Sequence, residues 1–202
     1  MAKLHYYYSA MNAGKSTTLL QSSYNYNERG MDTLLFAPAM DDRYGIGKIS
    51  SRIGLQANAT VISKDHDIYQ HVRSSIKQNP NIKCVLVDES QFLTKHQVEQ
   101  LCLICDEIGV PVLAYGIRSD FRGEPFEGSL YLLAWADLLI EIKTICHCGR
   151  KATMNMRIDE HGMPVHEGKQ IEIGGNDRYV AVCRQHFRMN IPEIALHIKG
   201  EA

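Results

Sequence analysis

Apolar positions in this chain come in short blocks separated by amphipathic stretches. Leu4 to Tyr8 form an apolar-aromatic run that predicts a first strand over residues 3–8. Residues 15–28 read as a helix ended by Gly30, which suits the left-handed position after a helix. Leu34, Leu35 and Phe36 make a run fit for a buried parallel strand, and Val61 with Ile62 predicts another. Ile68, Val72 and Ile76 then recur on one helix face until Pro80 closes it. Ile82 to Val87 is almost continuously apolar, as expected of a strand covered on both faces. Thr94 and Gln97 have capping-box spacing and open a helix with the stripe Val98, Leu101, Cys102, Cys105 and Ile108. Val110 to Tyr115 predict a strand, Leu130 to Trp135 a short helix, and Leu138 to Ile142 a last core strand. Alternation of this kind predicts an α/β fold with a parallel sheet and helices on both faces.

The pattern changes at Thr144. An alternating segment from Ala152 to Ile158, turn residues around Gly162 and Pro164, and a second β-like run to Val182 predict a small β-rich unit. The chain therefore divides into an α/β core over 1–143, a β-rich unit over 144–190, and a tail over 191–202. The polar, glycine-punctuated stretch from Asp41 to Arg52 reads as a mobile loop. Gly116 to Gly123 reads as a loop at the carboxyl end of a strand, where open α/β sheets bind ligands.

Length and charge narrow the function. At 202 residues there is room for one well-buried α/β domain and a smaller appendage. With 22 Lys+Arg against 23 Asp+Glu, no basic field points to a nucleic-acid partner. No run approaches bilayer length, and the N-terminus lacks a basic flank followed by an apolar core, so a cytoplasmic protein without a membrane partner is expected. Cys84, Cys102, Cys105, Cys146, Cys148 and Cys183 are expected as thiols or metal ligands rather than disulfides, with Cys102 and Cys105 buried on an apolar helix face.

Three constellations carry chemistry. Ser9-Ala10-Met11-Asn12-Ala13-Gly14-Lys15-Ser16-Thr17, between a strand and a helix, ends in the Gly-Lys-Ser core of a phosphate-binding loop. Backbone N–H groups would cradle phosphates, Lys15 would reach the β/γ-phosphates and Ser16 would ligate Mg²⁺; Ser9 stands where that pattern has Gly. Asp88-Glu89 follows an apolar strand expected to neighbour the loop, which suits Asp88 to Mg²⁺ and Glu89 to the general base. Cys146, Cys148, Cys183 and His186 offer the closed thiolate–imidazole set of a structural zinc site, with His147 as a rival fourth ligand. The double glycine at Gly174-Gly175 reads either as a hairpin turn or as a hinge over a small ligand, and Phe92, Phe121 and Phe126 either stack on a base or fill the core.

The combination resembles the zinc-containing thymidine kinases. The residues that carry the resemblance are Ser9 to Ser16, Asp41-Asp42-Arg43-Tyr44, Val87-Asp88-Glu89-Ser90-Gln91-Phe92, Phe121-Arg122-Gly123-Glu124-Pro125-Phe126, and Ile173-Gly174-Gly175 to Tyr179 before Cys183. They occur in the family's order and span residues 3 to about 188. The resemblance implies a RecA-like sheet, a small zinc-held domain whose lasso loop closes over the nucleoside, and a cytosolic homotetramer. It implies phosphoryl transfer from Mg·ATP to the 5′-hydroxyl of thymidine, with deoxyuridine as a possible second substrate and dTTP as a possible feedback inhibitor. By the same resemblance Glu89 is the base, and Asp88, Gln91, Asp41 and Arg43 join the loop at the triphosphate. Met11, Phe92, Ile117, Phe121 and Phe126 line the nucleoside pocket, with Gln170, Ile171, Glu172, Ile173, Gly174 and Tyr179 of the lasso. The chain departs from the family pattern at Ser9, in a Cys-x-Cys first pair, and in His186 where some members have a cysteine. A RecA-like DNA-dependent ATPase shares the core motifs and is the alternative.

Overall fold

The computed structural model describes residues 1–39, 47–51, 53–170 and 178–192. Contacts divide the chain into two compact units that are not contiguous in sequence. The first comprises Met1–Ser9, Gly14–Arg118 and Pro125–Ile142; the second comprises Ala10–Ala13, Ser119–Glu124 and the chain from Lys143 onward.

In chain order the first unit contains β1 (Leu4–Ser9), α1 (Lys15–Glu28), β2 (Asp32–Pro38), β3 (Lys48–Ser50), β4 (Gln56–Asn58), β5 (Thr60–Ile62), α2 (Ile68–Gln78), β6 (Ile82–Val87), α3 (Lys95–Leu103), β7 (Val112–Ile117), α4 (Glu127–Trp135) and β8 (Leu138–Glu141). Among the described residues its sheet has six strands in the order β5-β2-β6-β7-β1-β8, and the pairings in it are parallel. The two-residue period of the strands supplies both faces. Val85 and Val87 of β6 pack with Ile68, Val72, Val98, Leu101 and Leu132, while Cys84 and Leu86 pack with Leu19 and Leu20 of α1. α2, α3 and α4 thus cover one face and α1 the other. The capping box on α3 is formed from both directions, Thr94 accepting from Gln97 N–H and Gln97 from Thr94 N–H. Beyond Leu103 the helix widens into one π turn, Ile104–Ile108, and ends at Gly109.

Four expectations are corrected. β7 lies between β6 and β1, so the strand ending in Asp88 does not neighbour the strand that feeds the phosphate loop. β8 is an edge strand rather than a core strand: it pairs with β1 on one side only, and Leu138 and Leu139 are exposed. Within the stretch read as a loop to Arg52, Lys48–Ser50 pairs with Gln56–Asn58 as an antiparallel ribbon. Gly116 and Ile117 extend β7 rather than starting the following loop.

The second unit contains β9 (Thr144–Ile145), β10 (Lys151–Ala152), β11 (Met154–Arg157), β12 (Tyr179–Val182) and α5 (Arg184–Met189). β9 pairs with β10 and β11 with β12, both antiparallel. Among the described residues its buried apolar centre is small: Cys146, Ala152, Met156, Val182 and Cys183, with Cys148, Met154, Val180, Ala181 and Phe187 packed against it. So small a core needs a cross-link or a metal to be stable.

Candidate active site

The phosphate-loop sequence turns through left-handed backbone at Asn12 (φ 62°) and Gly14 (φ 85°) before α1 begins at Lys15. Glycine reaches that conformation without the cost a Cβ imposes. Lys15 is only 8% exposed, and its Nζ donates to Ser9 Oγ at 3.0 Å. The residue that departs from the loop pattern therefore gives the buried ammonium a hydroxyl acceptor. Ser16 Oγ, one residue further on, donates to Asp88 Oδ2 at 3.0 Å. Thr17 is half-buried in the same first turn.

Asp88 sits just past β6, where its N–H continues the ladder to Phe36 O at 2.9 Å. It is 5% exposed, and burial pushes its carboxyl well above the usual carboxylate range, with the Glu89 charge adding to the shift; Ser16, the Glu89 N–H and Lys15 act the other way. Glu89 holds left-handed backbone, φ 46° and ψ 40°, a conformation that costs a residue with a Cβ roughly 1 kcal/mol or more. Its surroundings hold it there. Glu89 N–H donates to Asp88 Oδ1 at 3.0 Å, and its carboxylate accepts from Gln91 Nε2. Gln91 is itself fixed, since its Oε1 accepts from Ile117 N–H at 3.2 Å.

Gly116 is required where Gln91 and Ser90 meet β7, because a Cβ there would lie 2.8 Å from both Gln91 Oε1 and Ser90 Oγ. Ile117 O accepts from Ser129 Oγ at 2.6 Å and from Tyr6 OH at 3.1 Å. Phe92 and Phe126 meet edge to face, with ring centroids 5.7 Å apart. Hence Asp88, Glu89, Gln91, Phe92, Ile117 and Phe126 belong to one connected set at the carboxyl ends of β6 and β7.

In the second unit, Asp120 is 3% exposed and shapes the loop around Phe121, its Oδ1 accepting from Arg122 N–H at 2.8 Å and Glu124 N–H at 2.9 Å. The Phe121 ring carries the guanidinium of Arg122 at 5.6 Å and that of Arg157 at 5.2 Å. Met11 N–H donates to Asn155 Oδ1 at 2.7 Å. Ala10 is buried, Ala13 half-buried, and Gln170 and Tyr179 half-buried, with Tyr179 opposite Arg157 in the β11–β12 ladder. Asp41, Arg43, Ile171, Glu172, Ile173 and Gly174 lie outside the described residues.

Cys146, Cys148, Cys183 and His186 bring one ligand atom each within 4.8 Å of one another. Cys148 Sγ and Cys183 Sγ are 3.9 Å apart and Cys146 Sγ and His186 Nδ1 3.3 Å apart. These match the edges of a tetrahedral thiolate site, about 3.8 Å between sulfurs for metal–sulfur bonds of about 2.3 Å. The cluster can hold a metal ion. The turn after β9 presents the first pair: Gly149 N–H reaches Cys146 O at 2.8 Å. Cys183 stands at the N-cap of α5, where the nearby His186 backbone N–H pulls its thiol below the usual range, while burial pushes that of Cys146 up. His147 is outside the four; its ring stacks on His186 with centroids 4.3 Å apart.

Periodicity misses Asn155, Arg157, Asp120 and Ser129. In the sequence Asn155 and Arg157 are ordinary polar positions of an alternating strand, and their partners Met11 and Phe121 are distant in sequence.

Comparison with known proteins agrees with the geometry. A family model described as thymidine kinase matches residues 2–187. The thymidine kinase of Coxiella burnetii is 69% identical over 192 residues, covering 95% of this chain and 98% of that protein. That of Vibrio vulnificus is 61% identical over 188 residues, with 93% and 97% covered. That of Legionella pneumophila is 62% identical over 188 residues, with 93% and 90% covered. Among solved structures, the Pif1 helicase of Candida albicans aligns with a TM-score of 0.40 at 17% identity, over 72% of this chain and 37% of that one, too slight a likeness to bear on function. A family match across almost the whole chain, and relatives of this identity over nearly their full length, place it: the chain belongs to the thymidine kinase family.

Proposed function

We propose that the protein is a thymidine kinase that transfers the γ-phosphoryl of ATP to the 5′-hydroxyl of thymidine, giving dTMP for deoxynucleotide salvage. The observation that carries the reading is the Ser16–Asp88–Glu89 arrangement, in which a buried carboxylate faces a helix-start hydroxyl and a second carboxylate is held beside it. Family membership supplies the acceptor.

Lys15 and the N–H groups of residues 9–17 hold the triphosphate, with Asp41, Arg43 and Gln91 assisting. Ser16 and Asp88 would hold Mg²⁺: the Asp88 carboxylate and the hydroxyl facing it form the hard-oxygen pair that such an ion prefers, and the ion's charge would offset the burial that raises the Asp88 carboxyl. When bound, the ion neutralises charge on the phosphates. Glu89 takes the proton of the 5′-hydroxyl, and Gln91 aims it. Met11, Phe92, Ile117, Phe121 and Phe126 receive the nucleoside, while Gln170 to Gly174 and Tyr179 close over it and exclude water, so that the alcohol is phosphorylated in preference to hydrolysis.

The three thiols and the imidazole suit zinc in a closed, structural site. We take 1–143 as the catalytic core, 144–190 as the zinc-held lasso domain and 191–202 as the tail. A homotetramer in the cytoplasm, inhibited by dTTP, completes the reading. Exposed Leu130, Trp135, Leu138 and Leu139 on α4 and the edge strand β8 support self-association. Among the described residues no helix is long and apolar enough to cross a membrane.

The test is to incubate the purified protein with Mg·ATP and a panel of nucleosides and to identify the products. Thymidine monophosphate is expected, and deoxyuridine in the panel reads the preference between the two. ATP hydrolysis that responds to DNA and not to nucleosides would replace this reading with that of a DNA-dependent ATPase.

A further inference from the structure

β11 has two chemically different faces. Met156 is 3% exposed and packs with Cys146, Val182 and Cys183, with Met154 beside it. Strand alternation turns Asn155 and Arg157 the other way. Asn155 is 2% exposed, yet both ends of its carboxamide are used. Oδ1 accepts from Met11 N–H at 2.7 Å, and Nδ2 donates to Ser119 O at 3.2 Å. Two positions further on, the Arg157 guanidinium lies 5.2 Å over the Phe121 ring. One strand therefore touches the phosphate-loop sequence at Met11 and the Phe121 loop at Ser119 and Phe121.

From this we infer that Asn155 is a positioning residue: its carboxamide fixes the Met11 backbone and the Ser119 backbone in one register, so that donor-binding and nucleoside-binding segments are held by the same side chain. The inference rests on the reading of residues 9–17 and 117–126 as the two substrate-binding segments. A buried amide with both partners made is a rigid two-ended strap. Replacing one end leaves a buried backbone group without its partner, a cost that the unaltered end does not share. The two ends are thus separable by chemistry. Asn155→Asp keeps the acceptor for Met11 N–H but sets a carboxylate oxygen against the Ser119 carbonyl. Asn155→Leu keeps the volume and loses both bonds.

The test combines kinetics with amide exchange on the full chain with its metal content measured. In Asn155→Asp the KM for ATP is expected to stay within about twofold of wild type while the KM for thymidine rises about tenfold. In Asn155→Leu both KM values rise about tenfold and kcat falls. In the wild-type protein without nucleotide, the Met11 amide is expected to exchange slowly, to remain slow in Asn155→Asp and to become fast in Asn155→Leu. A merely structural role predicts instead a smaller active fraction in both variants with unchanged KM values, and that result overturns the inference. So does fast exchange of the Met11 amide in the wild type, a measurement that does not depend on either variant folding. If the wild type makes no thymidine monophosphate, the functional reading fails, and the exchange data still decide whether Asn155 holds Met11.

Discussion

Ser16 Oγ donates to Asp88 Oδ2 across 3.0 Å, joining the first turn of α1 to the end of β6 although β7 separates β6 from β1 in the sheet. α1 makes this possible by crossing the sheet, with Leu19 and Leu20 packed among Leu35, Leu86 and Leu113 of β2, β6 and β7. The pair is where a divalent cation would be shared. Ser16→Ala is expected to raise the Mg²⁺ concentration for half-maximal turnover about tenfold, and Asp88→Asn to lower kcat by roughly 10²–10³. Magnesium titrations at saturating thymidine check this; an unchanged Mg²⁺ requirement in both variants contradicts the assignment.

Glu89 is held in strained backbone and aimed by Gln91, as expected of a group whose position matters more than its conformational cost. Glu89→Gln should leave ATP binding nearly intact and cut turnover by on the order of 10²–10⁴. Gln91→Ala should cost less, about tenfold to 10² in kcat, because the carboxylate remains but is no longer aimed. Wild-type turnover in Glu89→Gln removes the residue from its role.

Ser9 gives the Lys15 ammonium an acceptor at 3.0 Å inside the protein. Ser9→Gly restores the usual loop residue and is expected to keep kcat within about threefold, while lowering stability without nucleotide by about 1–3 kcal/mol. Denaturant titrations with and without ATP check it. A large loss of activity at unchanged stability argues that the hydroxyl acts on substrate instead.

Metal removal should act on the second unit, whose apolar centre among the described residues is small. A strong chelator, or Cys183→Ser, is expected to abolish amide protection over residues 144–158 and 179–189 and to release about one metal ion per chain. Full protection in metal-free protein contradicts a structural metal.

His66 Nε2 and His71 Nδ1 lie 3.1 Å apart, within hydrogen-bond distance. Burial, and then the His66 charge, hold His71 below its ordinary value of 6.5. The folded state resists a proton that the unfolded chain takes up, so stability is fully present above about 6.5 and is lost as the pH falls below it. Melting temperatures measured through that range should fall less steeply for His71→Asn than for wild type, with metal content followed in parallel. Equal slopes would exclude this pair as the source.

The sheet strands and the chemistry at their ends were legible because both are local. Apolar runs such as Ile82 to Val87 carry their own burial, and Gly-Lys-Ser, Asp-Glu and the Cys/His spacing each sit within a few residues. Relations between distant segments were not legible. Nothing near Asp88 tells that β7 inserts beside β1, and nothing near Leu138 tells that its strand has a neighbour on one side only. Asn155 reads as an ordinary polar position in an alternating strand until Met11, 144 residues away, is seen against it. Ser9 is a departure from the motif in the sequence, and only the structure shows its hydroxyl accepting from Lys15.

The most direct test follows the label from γ-labelled ATP. With Mg²⁺ and thymidine present, label is expected in the 5′-phosphate of thymidine monophosphate, one label per ATP consumed, and almost none in either product with Glu89→Gln. Label recovered only as inorganic phosphate, at a rate indifferent to thymidine, would contradict it.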